Sequence, residues 1–265
     1  MIYKKITLPK SSGQLTFYGL DNSAEIDNQR IRPLIIICPG GGYAYLSDRE
    51  AEPVAIKMLS LGFQTAVLQY SIKPEIFPTS LRQLAEAVMF LREKGSAWHI
   101  DSQKIVVAGF SAGGHLAASL GVFWQEKILA DMGEAKLMRP DGLLLAYPVI
   151  TAHEFAHRES IENVSGKSLE SAENQFSLED FVTSSTPKSF IWHTIEDDLV
   201  PPENSLLFAQ ALQKVKVPYE LHLFPRGGHG LSLASQETQI NGGYGLVDEV
   251  SIWPELFARW VENNL

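Results

Sequence analysis

"IVVAGFSAGGHLAASLGVF", residues 105–123, holds the pattern on which the reading of the whole chain turns. Its first part, Ile105 to Phe110, is apolar without alternation, the mark of a short strand covered on both faces. From Ala112 onward small residues dominate, and they let a helix pack closely against a sheet. Between the two halves, Gly109, Ser111 and Gly113 fit G-x-S-x-G, whose glycines permit the tight strand-to-helix turn that pushes a serine hydroxyl out at a helix N-terminus. The strand before and the helix after favour this reading over a plain glycine-rich turn, and Ser111 becomes a candidate nucleophile.

Working outward, similar apolar runs recur at 34–38 (LIIIC), 65–70 (TAVLQY), 142–147 (GLLLAY), 189–194 (SFIWHT) and 219–224 (YELHLF). Helical spacing lies between them. Leu81, Leu84, Ala85, Val88 and Leu91 recur at three and four, with Thr79 or Ser80 to cap the start and Gly95 to end the helix. Ser47 and Glu50 read as a capping box before a helix that tolerates Pro53 in its first turn and stops at Gly62. Further helical segments follow Glu203 and Trp253. The alternation implies an α/β fold: a mostly parallel sheet with helices on both faces, binding ligands at the carboxyl ends of its strands. "YKKITL" and "LTFYGL", parted by a Ser-Ser-Gly turn, predict an antiparallel hairpin at one edge. At 265 residues the chain is expected to form a single domain, with a Ser-, Glu- and Asn-rich insertion over about 151–188.

Composition narrows the function. A net charge of −9, with 22 scattered basic residues, disfavours nucleic acid and anionic lipid as partners. No apolar run approaches the ~18 residues of a membrane span, and the N-terminus shows no export signal. With the single cysteine, Cys38, read as a buried core thiol, this gives a cytoplasmic expectation. The exposed sheet edge and the C-terminal helix each offer a face for a homo-oligomer, and no pattern demands one.

A serine hydroxyl needs a base, and a base of this kind needs a carboxylate to orient it. Of seven histidines, His229 stands out, because "FPRGGHGLS" sets it in a glycine-flanked loop just past a strand. His222, His193 and His115 read as packed or hydrogen-bonded core residues, and His99 as peripheral. The acid is expected after an intervening strand, where "IEDDLVPPENS" offers Glu196, Asp197 and Asp198; strand phase does not separate them. An oxyanion hole needs backbone N–H groups unshielded by side chains, which Gly40, Gly41 and Gly42 supply after one strand and Ala112 after another. Tyr43, Tyr45, Phe110 and Tyr147 stand near the expected pocket as candidate substrate contacts.

"HEFAH", residues 153–157, competes for attention as the H-E-x-x-H pattern of zinc hydrolases. On a helix, His153 and His157 would share a face and Glu154 would act on metal-bound water. No third ligand stands at a defined spacing, since Glu162, Glu170, Glu173 and Glu179 are only generic candidates. A zinc site would also leave the serine apparatus unexplained. The expectation is no metal and no cofactor, with both histidines in the cap.

Taken together, "CPGGGY", "GFSAGG", "DDLVPPENS" and "FPRGGHGLSLA", in that order over nearly the whole length, resemble the α/β-hydrolase superfamily, within it the bacterial esterases grouped with acetyl-xylan esterases. The resemblance implies Ser111 as nucleophile, His229 as base and Asp197, first residue of D-x-x-V-P, as acid. It implies an oxyanion hole of Gly41, Gly42 and Ala112. Pro39 stands where a related lipase-like group has His, which argues against a lipid substrate. The expected activity is serine carboxylesterase action on small-molecule esters, above all acetyl esters of sugars or xylo-oligosaccharides. An amidase, formamidase or peptidase with the same triad is the alternative, and a non-catalytic binding protein on this scaffold is a remote one.

Overall fold

The computed structural model describes residues 1–265. Eight strands form one sheet: β1 (Ile2–Thr7), β2 (Gln14–Gly19), β3 (Arg32–Cys38), β4 (Gln64–Gln69), β5 (Ile100–Phe110), β6 (Gly142–Ala146), β7 (Lys188–Thr194) and β8 (Tyr219–Phe224), in the order β1-β2-β4-β3-β5-β6-β7-β8. The hairpin β1–β2 is antiparallel and β2 joins β4 in the same sense, while the pairs from β4 to β8 are all parallel. The predicted hairpin and every predicted strand are present. Residues 100–104, "IDSQK", extend β5 at its start.

The helices are α1 (Glu52–Ser60), α2 (Thr79–Lys94), α3 (Ala112–Phe123), α4 (Ala135–Met138), α5 (Arg158–Ser165), α6 (Leu169–Phe176), α7 (Glu203–Lys214) and α8 (Trp253–Asn264). They bury both faces of the sheet. Ile36, Cys38 and Val107 belong to one core with Leu84, Val88 and Leu116 of α2 and α3, while Ile35, Ile37 and Val106 belong to a second with Met58 of α1 and Phe257 of α8. A strand that alternates between two cores has no wet face, which is why the runs read as continuous. No helix is long and apolar enough to cross a membrane.

Two predicted caps are absent. Helix α1 begins at Glu52 with Pro53 in its first turn, Ser47 makes no side-chain cap, and Glu50 turns inward. Helix α2 begins at Thr79 itself, behind Pro78, with no side-chain cap.

Strands β3 and β5 lie side by side, while the chain leaves β3 toward α1 and β4, and leaves β5 toward α3 and β6. The crevice between their carboxyl ends is therefore the topological switch point. The segment joining β6 to β7 carries α5, α6 and a turn at Leu178–Phe181. It packs down on the body: the Val164 carbonyl accepts from the Phe77 amide, and the Phe176 ring lies against His115.

Candidate active site

At the switch point the chain makes its sharpest turn. Ser111 sits at φ 54° and ψ −119°, a region that costs a side-chain-bearing residue of order 1–3 kcal/mol. What holds it there is close packing around glycine. A Cβ on Gly113 would fall 2.0 Å from the Cys38 carbonyl oxygen, so only glycine lets α3 approach the end of β3. Ser111 is left buried but not sealed, at 7% exposure.

Its hydroxyl lies 2.7 Å from His229 Nε2, and His229 Nδ1 lies 2.7 Å from Asp197 Oδ2. The carboxylate accepts the Nδ1 proton, so Nε2 is left as the acceptor for the Ser111 hydroxyl. Asp197 is itself saturated: Oδ1 accepts from the Leu199 and Val200 amides at 3.1 and 2.9 Å, and Oδ2 also accepts from His193 Nε2 at 3.2 Å. Burial pushes the Asp197 carboxyl up, but the hydrogen bonds from His193 and His229, the His229 charge and the Val200 amide outweigh it and hold it well below the usual carboxylate range. Its two sequence rivals face solvent, Glu196 accepting from the Gly227 amide. Such an array can take the serine proton and keep the resulting imidazolium paired.

The loop after β3 closes the other side. A Cβ on Gly40 would meet Ser111 Cβ at 2.9 Å, so this loop lies directly against the serine. The Gly40 amide is committed to Glu50 Oε2 at 2.8 Å, whereas those of Gly41 and Gly42 have no acceptor in the protein. Ala112 opens α3, where N–H groups have no intrahelical acceptor. From the cap, Asn163 Nδ2 donates to the Gly42 carbonyl at 2.8 Å and pins the loop.

Three of the four aromatic residues read as candidate substrate contacts, Tyr43, Phe110 and Tyr147, are buried, and for them that expectation is corrected. Phe110 is fully enclosed, 6.0 Å from both the Tyr147 and Trp253 rings. Tyr43 turns inward at φ 57° to meet His115 Nδ1 with its hydroxyl at 3.0 Å. Tyr147, at φ 36°, sets its ring edge-on to His229 and its hydroxyl on Glu50 Oε1. Tyr45, by contrast, is 63% exposed.

The zinc pattern loses its premise too. Residues 151–157 form turns rather than a helix, so His153 and His157 share no helical face. His153 Nε2 pairs with Asp180 at 3.2 Å, and His157 is the N-cap of α5, where its Nδ1 accepts from the Ser160 amide. Burial, then the charge of nearby His229, push the His157 imidazole down.

Two residues have site roles that the sequence reading does not assign. His193 is the buried, hydrogen-bonded core residue expected, and in addition it shares Asp197 with His229; its spacing of four from Asp197 is the available signal. Glu50 was spent on a cap.

Comparison with known proteins gives a consistent picture. The BD-FAE family model matches residues 20–212. The endo-1,4-beta-xylanase B of Butyrivibrio fibrisolvens is 38% identical over 212 residues, 78% of this chain but 33% of that protein, so the chain spans about a third of the length of that relative. The crystal structure of an acetyl ester-xyloside bifunctional hydrolase from Caldicellulosiruptor lactoaceticus superimposes with a TM-score of 0.82 at 37% identity, over 96% of this chain and 89% of that one. That of the carboxylesterase Cest-2923 from Lactobacillus plantarum WCFS1 gives 0.88 at 33%, over 99% and 98%.

Proposed function

The chain belongs to the BD-FAE family, among the α/β-hydrolase esterases, and from that premise we propose that it is a serine carboxylesterase that removes short acyl groups, acetyl above all, from sugars or other small alcohols. The observation that carries the reading is the continuous line from Ser111 Oγ through His229 to Asp197, 2.7 Å at each step. In this reading Ser111 attacks the ester carbonyl while His229 takes its proton, and Asp197 holds the imidazole in the tautomer that permits this. The tetrahedral oxyanion is held by the free amides of Gly41, Gly42 and Ala112. His229 then returns the proton to the departing alcohol. Water enters by the same base and frees the acid, and no cofactor takes part.

Acetylated xylo-oligosaccharides are the substrate class we favour. Support comes from the acetyl ester-xyloside hydrolase likeness and from the small-residue oxyanion loop that begins at Pro39. The reading places the enzyme in the cytosol, supported by the lone buried thiol of Cys38.

The test is p-nitrophenyl acetate turnover by the wild type and by Ser111→Ala, both in a metal chelator. The expected outcome is turnover by the wild type and a loss of about a thousandfold or more in the variant. Equal rates in the two proteins would reject Ser111, and recovery of both on adding zinc would return attention to His153 and His157. A matched p-nitroanilide, turned over far more slowly, would separate esterase from amidase.

A further inference from the structure

We infer that Glu50 is a positioning residue for the reaction, whose buried carboxylate ties the oxyanion loop to the His229 loop and sets a fixed negative charge behind the base. The inference rests on the Ser111, His229 and Asp197 reading above.

Glu50 is 4% exposed. One oxygen accepts at 2.8 Å from the amide of Gly40, in the loop that carries Gly41 and Gly42. The other accepts from the Tyr147 hydroxyl at 2.7 Å. That hydroxyl accepts in turn from the Ser232 amide at 2.9 Å, three residues beyond the base, while the Tyr147 ring stands edge-on to His229 with centroids 5.1 Å apart. The carboxylate also lies against the chain just past the base: a Cβ on Gly230 would lie 3.9 Å from Oε1. One side chain therefore meets the oxyanion loop, the wall behind the base and the loop that carries it.

The proton count fixes its form. The Ser232 amide can only donate, so the Tyr147 oxygen receives that hydrogen and its own must go to Glu50. The Gly40 amide can only donate as well. Every donor finds an acceptor only if Glu50 accepts on both oxygens, as a carboxylate does.

A buried carboxylate with no cation against it is costly, and no Lys, Arg or His forms an ion pair with Glu50. Neighbouring Arg49 directs Nε to the Thr238 carbonyl instead. A further cation forms beside Glu50 during the reaction, when His229 holds the serine proton. An interaction stronger in the transition state than in the resting enzyme accelerates the chemical step and leaves substrate binding alone.

The groups that face His229 are Ser111 from the β5–α3 turn, Asp197 after β7 with His193 behind it, His157 from the cap, Tyr147 after β6, Glu50 and Arg49 before α1, and the Tyr244 hydroxyl on its backbone carbonyl. Glu50→Gln removes one charge from this set and nearly preserves shape. Losing an anion behind the Tyr147 ring disfavours imidazolium, so the acid limb of the pH profile moves to lower pH, on the order of one unit for a single charge at that remove.

The experiment measures kcat and KM for p-nitrophenyl acetate from pH 5 to 9 in the wild type, Glu50→Gln and Glu50→Asp. For the Gln variant we expect the limb to fall by about one unit and kcat by about tenfold, with KM within about twofold. The Asp variant keeps the charge and is expected to keep the wild-type limb. A Gln variant with the wild-type limb overturns the inference. Should Gln fail to fold, Tyr147→Phe decides, since it cuts the tie but keeps the ring and the charge. A tenfold loss of kcat at constant KM without a lowered limb supports the inference, and wild-type kcat overturns it. Ser111→Ala run alongside separates the two levels. If it is inactive and the Glu50→Gln limb is unmoved, only the role of Glu50 falls; if it is active, the site reading falls and this inference with it.

Discussion

Asp197→Asn provides the sharpest test of the acid, because the surroundings of the carboxylate dictate which way the new amide must point. Four donors converge on the two oxygens: the Leu199 and Val200 amides on Oδ1, His229 Nδ1 and His193 Nε2 on Oδ2. If the amide nitrogen took the Oδ1 place, the buried Val200 N–H would face a donor, at about 1–3 kcal/mol, and the more exposed Leu199 N–H would have to turn to water. If it takes the Oδ2 place, His193 still donates to the Val200 carbonyl at 2.9 Å, and His229 can move its proton to the other nitrogen. The second arrangement is favoured by roughly 1–3 kcal/mol. It leaves His229 presenting an N–H, not a lone pair, to Ser111. An imidazole locked in that tautomer costs about 10⁴ in turnover, or about 5 kcal/mol of barrier. KM should stay within about threefold, since Asp197 is buried away from substrate. Steady-state hydrolysis of p-nitrophenyl acetate at pH 7–8 measures both constants, and the unfolding midpoint checks that the variant is native. A folded variant within tenfold of wild-type kcat would refute the tautomer argument, and with it the assignment of Asp197.

Two further changes probe the scaffold. His115 is buried, and its imidazole is pushed down to about 4 by desolvation, against the Phe176 carbonyl that pulls it up. Below its unfolded value of about 6.5 the unfolded chain takes a proton that the native state refuses. The His115 contribution to stability should therefore fall by about 3 kcal/mol as pH drops from 6.5 to 4 and level off below; in urea titrations the difference between the wild type and His115→Gln should carry that slope. Gly113→Ala would drive a methyl to 2.0 Å from the Cys38 carbonyl oxygen and 2.5 Å from that of Pro39, both backbone atoms that cannot swing away. A loss of about 3 kcal/mol, a midpoint lower by roughly 5–10 °C and a fall in kcat as Ser111 moves with α3 are expected, and a wild-type melting curve would contradict the close packing.

What the sequence made legible was whatever rested on composition over several residues in order. Continuous apolar runs gave the strands because β3 to β7 are buried on both faces, and glycines gave the two turns because no other residue fits there. The proposed base was legible for a related reason: His229 is the histidine that follows a strand among glycines. The direction of single aromatic side chains was not legible. Tyr43 and Tyr147 follow strands at the mouth of the site, where an ordinary backbone would leave either fate open, but both sit at positive φ and turn inward. A non-glycine residue in that region leaves no mark in the sequence.

Glu50 and "HEFAH" failed for the opposite reason, since each matched a local pattern whose context was wrong. Ser47 and Glu50 have the spacing of a capping box, yet Pro53 can occupy only the first turn of a helix, which puts the helix start at Glu52 and frees Glu50 to point elsewhere. Read that way, the proline already argued against the cap. In "HEFAH" the two histidines have the spacing of a shared helical face, yet His157 begins the helix instead of continuing one, with Ser160 at its N-terminus. A motif of i and i+4 ligands carries information only where a helix runs through both. The serine turn survived the same test because strand and helix stood on its two sides, whereas Glu50, which supports it, meets Tyr147 from a distant loop that only the fold brings near.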